Sequence, residues 1–218
     1  RFHAEAEAAA NLDHPGIVMV FDVGEISEEA AVASHGQLRA GSPFVAMELA
    51  TYGTLARVRE GLHWRRLRAV LYGMLEALAH ALARGVVHRD LKPGNDLLTK
   101  HTGDGLPLLK LVDFGLAHAM DSMERDQLTT NDDPDKMKIA GTPRYMAPEQ
   151  IEGRWRDQGP WTDLYAVGCL AHYLVNGDPP FSGELEEILT GHLYGNPPPL
   201  KPEFEVPPGF DAWVQRLL

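Results

Sequence analysis

The chain has 218 residues, 44% of them hydrophobic, and a formal net charge of −11 from 20 basic and 31 acidic side chains. That is enough apolar matter for a core in one large domain or two small ones, and the acidic balance works against a surface that grips a phosphate backbone, so nucleic acid is not an expected partner. Cys169 is the single cysteine, which excludes an intrachain disulfide framework and any multi-cysteine metal site and fits a reducing compartment.

In chain order, RFHAEAEAAANL (1–12) is rich in Ala and Glu and predicts a helix, which Pro15 and Gly16 then break. The runs IVMVFDVG (17–24) and PFVAMEL (43–49) carry β-branched and aromatic residues and predict two strands. Between them, GEISEEAAVASHGQLRAGS is polar and punctuated by Gly and Ser, as expected of a surface loop or an extended hairpin connection. From His63 to Arg84, Leu67, Val70, Leu71, Met74, Leu75, Leu78 and Leu82 recur at helical spacing, which predicts a long helix with one buried face. LLT (97–99) and PLLKLVDF (107–114) predict two short strands around the turn KHTGDG, and the polar stretch from His118 to Lys138 has the composition of a mobile loop. WTDLYAVGCLAHYLVNG (161–177) is apolar almost all round and predicts a buried helix closed by Asn176 and Gly177. Its most apolar part, AVGCLAHYLV, is too short to span a bilayer. The first and last segments begin and end within helical patterns, so the chain is expected to be a piece of something longer.

The chemistry concentrates in VVHRDLKPGNDLL (86–98), where Asp90, Lys92 and Asn95 come from one short loop after the long helix. A carboxylate can accept a proton from an attacking hydroxyl, an ammonium can neutralise a transferring phosphoryl group, and an amide oxygen can ligate a hard cation such as magnesium. Asp113 follows the strand-like LLKLV and precedes Phe114 and Gly115, so its carboxylate is expected at a strand end where the backbone can turn sharply, in reach of a metal shared with Asn95. HRD (88–90) or DFG (113–115) alone reads as an ordinary loop or turn; it is their joint occurrence, in order, that points to phosphoryl transfer.

With these residues in view, the chain resembles a serine/threonine protein kinase of the bacterial branch over essentially its whole length. HRDLKPGN resembles the catalytic loop, VDFG the magnesium-binding strand end, GTPRYMAPEQ the end of the activation segment, and WTDLYAVGC the buried helix that anchors the catalytic loop. The resemblance implies that Asp90 is the catalytic base, that Lys92 steadies the transferred phosphate, and that Asn95 and Asp113 hold Mg2+. It also implies that Thr142 hydrogen-bonds near Asp90 and Lys92, that Glu149 is a structural ion-pair partner, and that Asp163 binds the catalytic-loop backbone. At the front, RFHAEAEAAANLDHPGIV resembles the family's αC helix and the strand after it, with Glu5 at the place of the glutamate that pairs with the ATP-binding lysine. In PFVAMELA, Met47 resembles the gatekeeper and the backbone of Glu48 and Ala50 the adenine-binding hinge, while Leu97 matches the floor of the adenine pocket.

The expected fold is α+β and protein-kinase-like: a mostly helical large lobe over 50–218 and a partial small lobe over 1–49, with the αC helix and two to three β-strands. ATP and Mg2+ are the expected substrate and metal, a protein Ser or Thr hydroxyl the acceptor, and the cytoplasm the expected location, including as the cytoplasmic part of a membrane-anchored parent. Two departures stand out. No Gly-rich loop or lysine-bearing strand precedes Arg1, so the chain by itself is expected to bind ATP poorly, which leaves a kinase-like protein-binding module as the alternative. Asp96 stands where the family places an aliphatic residue and is expected to weaken the adenine floor. Arg89 resembles the arginine that meets a phosphorylated activation loop, with Thr129 and Thr130 as candidate acceptors.

Overall fold

The computed structural model describes residues 11–55, 61–99, 108–114 and 143–218. Two antiparallel hairpins and a set of helices make up this part of the chain. Strand β1 (Val20–Glu25) pairs with β2 (Pro43–Met47), Val23 opposite Val45 and Glu25 opposite Pro43, with an irregularity between Val20 and Asp22. These are the two strands predicted from the β-branched runs. The connection between them corrects the expectation of a loop, because it contains a short helix, α1 (Glu28–Ala33). Ser27 caps it by accepting from the Ala30 amide at 3.1 Å, and Glu28 and Glu29 face the positive end of its dipole. None of its residues is buried, so local capping rather than packing holds it.

Helix α2 (Trp64–Leu82) buries Leu67, Val70, Leu71, Met74, Ala77, Leu78 and Ala81 along one stripe. The predicted Leu82 is 43% exposed, as the last residue before the turn. Gly85 there takes the left-handed φ of 74°, and the Val86 amide donates back to the Ala81 carbonyl at 3.0 Å, the reverse turn that sends the chain toward His88.

The second hairpin joins β3 (Asp96–Thr99) to β4 (Leu108–Leu111), with Asp96 opposite Leu111 and Leu97 opposite Lys110. Its alternation puts Leu98, Leu109 and Leu111 into the core beside α2, while Leu97 and Lys110 share the other face. After a short turn of 3-10 helix (Pro143–Tyr145) come α3 (Pro148–Ile151) and the predicted buried helix α4 (Pro160–Asn176). Twelve residues of α4 are buried, from Thr162 to Val175, and Gly177 ends it at φ 95°. Burial also pushes the Cys169 thiol well above its ordinary range, which makes it an inert core residue. Helices α5 (Leu185–Tyr194) and α6 (Phe210–Gln215) complete the described chain. α6 packs on α4, where a Cβ on Gly168 would meet Leu217 and Leu218 side chains at 2.9 Å. Among the described residues no helix is long and apolar enough to cross a membrane.

Candidate active site

The loop 88–95 has little regular structure of its own, so its shape comes from what grips it. Asp163, in the first turn of α4 and 6% exposed, accepts the His88 amide on Oδ2 at 2.9 Å and the Arg89 amide on Oδ1 at 2.8 Å. This is the backbone role the sequence implied for Asp163. Gln150 of α3 grips the loop from another side, donating from Nε2 to the Arg89 carbonyl at 2.7 Å while its Oε1 accepts the Ala147 amide at 3.0 Å. Sequence reasoning did not single out Gln150; its place beside Glu149, one residue past the APE triplet, is the only local signal. With its amide and carbonyl both fixed, Arg89 sits at φ 66°, a left-handed conformation that a non-glycine residue holds only under constraint.

His88 ties the loop to β4. Its Nδ1 accepts the Asp90 amide at 3.3 Å, which leaves Nε2 to donate to the Val112 carbonyl at 2.9 Å. Burial holds this imidazole below its ordinary pKa, so it is neutral, with its proton on Nε2. The ring also packs on Phe114, centroid to centroid 4.5 Å. A further bond runs from the Val112 amide to the Asn95 carbonyl at 3.1 Å. The segment carrying Asp113 is thereby locked to the segment carrying Asp90.

Within this frame Asp90, Lys92 and Asn95 converge. Lys92 Nζ lies 2.6 Å from Asp90 Oδ2, and Asn95 Nδ2 donates both to Asp90 Oδ2 at 3.0 Å and to the Asp90 carbonyl at 3.1 Å. Because its nitrogen is engaged, Asn95 has its amide oxygen left over as a donor for a hard cation. Burial raises the Asp113 carboxyl above the ordinary carboxylate range, and it stands close enough to feel the charges of Asp90 and Lys92. A half-buried carboxylate in that position is suited to a cation, which would restore its charged form. Asp113 too is left-handed, at φ 65°.

Asp113, Phe114 and Met47 line one cleft, with Ile17, Val18, Val20, Leu111 and Val112. Glu48 follows β2, its amide donating to the Met19 carbonyl at 2.9 Å and its carboxylate 2.8 Å from Lys110 Nζ. Ala50 lies half-buried just beyond, and Leu97 sits on β3, bridged to Thr54. Glu5 and Thr142, like Thr129 and Thr130, lie outside the described residues. Glu149 accepts from the Thr162 hydroxyl at 2.5 Å. Asp96 is fully buried on the face of β3 opposite Leu97, beside Leu98, so its carboxyl points into the core and away from the face that carries Leu97. Neither of its oxygens has a hydrogen-bond partner among the described residues, and burial drives its pKa well up.

A loop that sets a carboxylate, an ammonium and an amide around one point, with a second carboxylate at a strand end beside it, is equipped to handle a phosphoryl group and its metal. Residues 1–200 match the family described as the protein kinase domain. The chain is 37% identical to the serine/threonine-protein kinase PknA of Mycobacterium tuberculosis, 32% to the serine/threonine-protein kinase PknB of Mycolicibacterium smegmatis and 33% to the serine/threonine-protein kinase pkn3 of Myxococcus xanthus, in each case over 100% of its own length. It spans 46%, 32% and 38% of those relatives. The chain belongs to the protein kinase domain family, in its bacterial serine/threonine branch.

Proposed function

We propose that the protein containing this chain transfers the γ-phosphoryl group of ATP to a Ser or Thr hydroxyl of a protein substrate. The observation that carries this reading is the junction of Lys92 and Asn95 on the Asp90 carboxylate, with Asp113 within electrostatic reach. In this reading Asp90 orients the acceptor hydroxyl and takes its proton, and Lys92 offsets charge on the transferring group. Magnesium would be held by Asn95 Oδ1 and Asp113 and would supply further charge neutralisation at the phosphates. Met47 would guard the nucleotide cleft, the backbone of Glu48 and Ala50 would meet adenine, and Leu97 would floor it. Residues 1–49 would then belong to a small lobe and 50–218 to a large one, with the site at their junction.

Catalysis of this kind rests on placement and electrostatics, so the test removes one charge without removing the shape. In the full-length protein, Asp90→Asn should lower the rate of phosphate transfer from γ-labelled ATP to a general protein acceptor by about 10^3-fold, within the range for loss of a general base. Its melting temperature should stay near the wild type's. An Asp90→Asn protein that transfers phosphate at the wild-type rate would sink the proposal.

A further inference from the structure

Lys110 is absent from the chemistry described so far, yet its side chain is only 12% exposed and its ammonium has two acceptors on separate segments. Nζ donates to Glu48 Oε2 at 2.8 Å and to the Ile17 carbonyl at 3.3 Å. The same Glu48 oxygen accepts the Met19 amide at 3.3 Å, and the Glu48 amide donates to the Met19 carbonyl at 2.9 Å. Around this knot, the Val18 amide bonds the Leu111 carbonyl and the Leu111 amide bonds the Gly16 carbonyl, each at 2.9 Å. One ammonium therefore fastens β4, the Gly16–Met19 segment and the residue just after β2 to one another. Lys110 also stands directly across from Leu97 in the hairpin, so both side chains share the face turned away from the core. Its hold on Glu48 keeps that carboxyl below the ordinary carboxylate range.

We infer that Lys110 is a positioning residue for nucleotide binding: through the Glu48 carboxylate it fixes the height and direction of the Glu48–Ala50 backbone above Leu97, and so sets affinity for the purine ring. This rests on the kinase reading given above. The side chain is not required to touch nucleotide. A lysine that merely held the hairpin would affect stability alone, whereas one that aims the hinge acts on binding more than on the chemical step.

Two readouts in the full-length protein separate these cases. In Lys110→Met, KM for ATP should rise about tenfold while kcat falls by less than about threefold, the pattern of lost ground-state placement. Lys110→Arg should recover most of the loss, since a guanidinium can still reach Glu48. Amide hydrogen exchange, read without nucleotide, should accelerate at Glu48 and Met19 in Lys110→Met and stay slow along β3 and β4. Glu48→Gln, which cuts the same bond from its other end, should give a similar KM, and the double variant should cost little more than either alone. It also serves if Lys110→Met fails to fold. An unchanged KM for ATP in a folded Lys110→Met protein, or unchanged exchange at Glu48, overturns the inference while leaving the kinase reading intact. A wild type that transfers no phosphate from ATP overturns the kinase reading, and the nucleotide role of Lys110 falls with it.

Discussion

Two buried carboxylates, one at the start of α4 and one at the start of β3, meet opposite fates. Asp163 is 6% exposed and Asp96 is 0% exposed, and burial raises the pKa of both. Asp163 is met by the His88 and Arg89 amides and by the charge of Arg89, which pull its pKa back toward the ordinary value. Asp96 has no donor among the described residues, and the neighbouring charge of Asp90 pushes its pKa further up. Burial alone therefore does not mark a carboxylate as useful. What distinguishes Asp163 is that its two oxygens meet two backbone N–H groups that would otherwise be orphans, so the loop and the carboxylate satisfy each other.

The largest effect should come from breaking the satisfied one. Asp163→Ala leaves two amides of the loop without partners and frees the left-handed Arg89, and should cost about 2–6 kcal/mol in urea denaturation, about 1–3 kcal/mol for each donor left unsatisfied. A cost under about 1 kcal/mol, within reach of a single ordinary hydrogen bond, would erase the contrast with Asp96.

A buried histidine extends the comparison to a base. His192 on α5 is 5% exposed, its Nδ1 lies 2.7 Å from the Tyr165 hydroxyl, and burial pulls its pKa down to about 4. The unfolded chain, with an ordinary histidine pKa near 6.5, binds the proton more readily than the folded one. Its contribution is thus fully present above about pH 6.5 and is lost as pH falls toward 4, amounting to roughly 2–3 kcal/mol over that window. Denaturation of wild type and His192→Gln at pH 7 and pH 4.5 should show the difference between them shifting in favour of the variant at the lower pH. A difference independent of pH would mean that His192 is not held neutral.

Asp96→Val should raise stability by about 1–3 kcal/mol at pH 7, because the replacement removes two unpartnered buried oxygens without leaving a stranded partner behind. Loss of stability would show that the carboxyl has a use. Smallest of all, Gln150→Ala should cost about 1 kcal/mol, with only a modest fall in activity, since Asp163 still holds Arg89 from its amide side.

What could be read without coordinates was local. Asp90, Lys92 and Asn95 lie within six positions of one loop, and Asp113 follows the strand-like run LLKLV, so spacing brings the cluster within sight. The stripe of α2 and the all-round apolar α4 likewise carry their own period. Short elements and distant ties behaved differently. Helix α1 lies in a stretch that reads as loop because Gly and Ser punctuate it, although Ser27 followed by Glu28 and Glu29 is a start signal that N-capping rules recognise. The Lys110–Glu48 bond joins residues 62 apart in sequence, and no local pattern distinguishes it from two solvated charges. The inward turn of Asp96 follows from the strand alternation of β3, which the residue type alone does not reveal.

Arg89 and Asp113 share one further property, their left-handed backbone, at φ 66° and 65°. Each such residue stores about 1–3 kcal/mol that the surrounding contacts must offset. Glycine would sit there comfortably, so any search for heat resistance by sequence redesign will be drawn to these two positions. At Asp113 it would gain ruggedness by discarding a side chain on which the chemistry is proposed to depend. Thermal tolerance and catalytic competence are set against each other at that site, and a variant library selected for survival alone should drift toward inactive proteins there first.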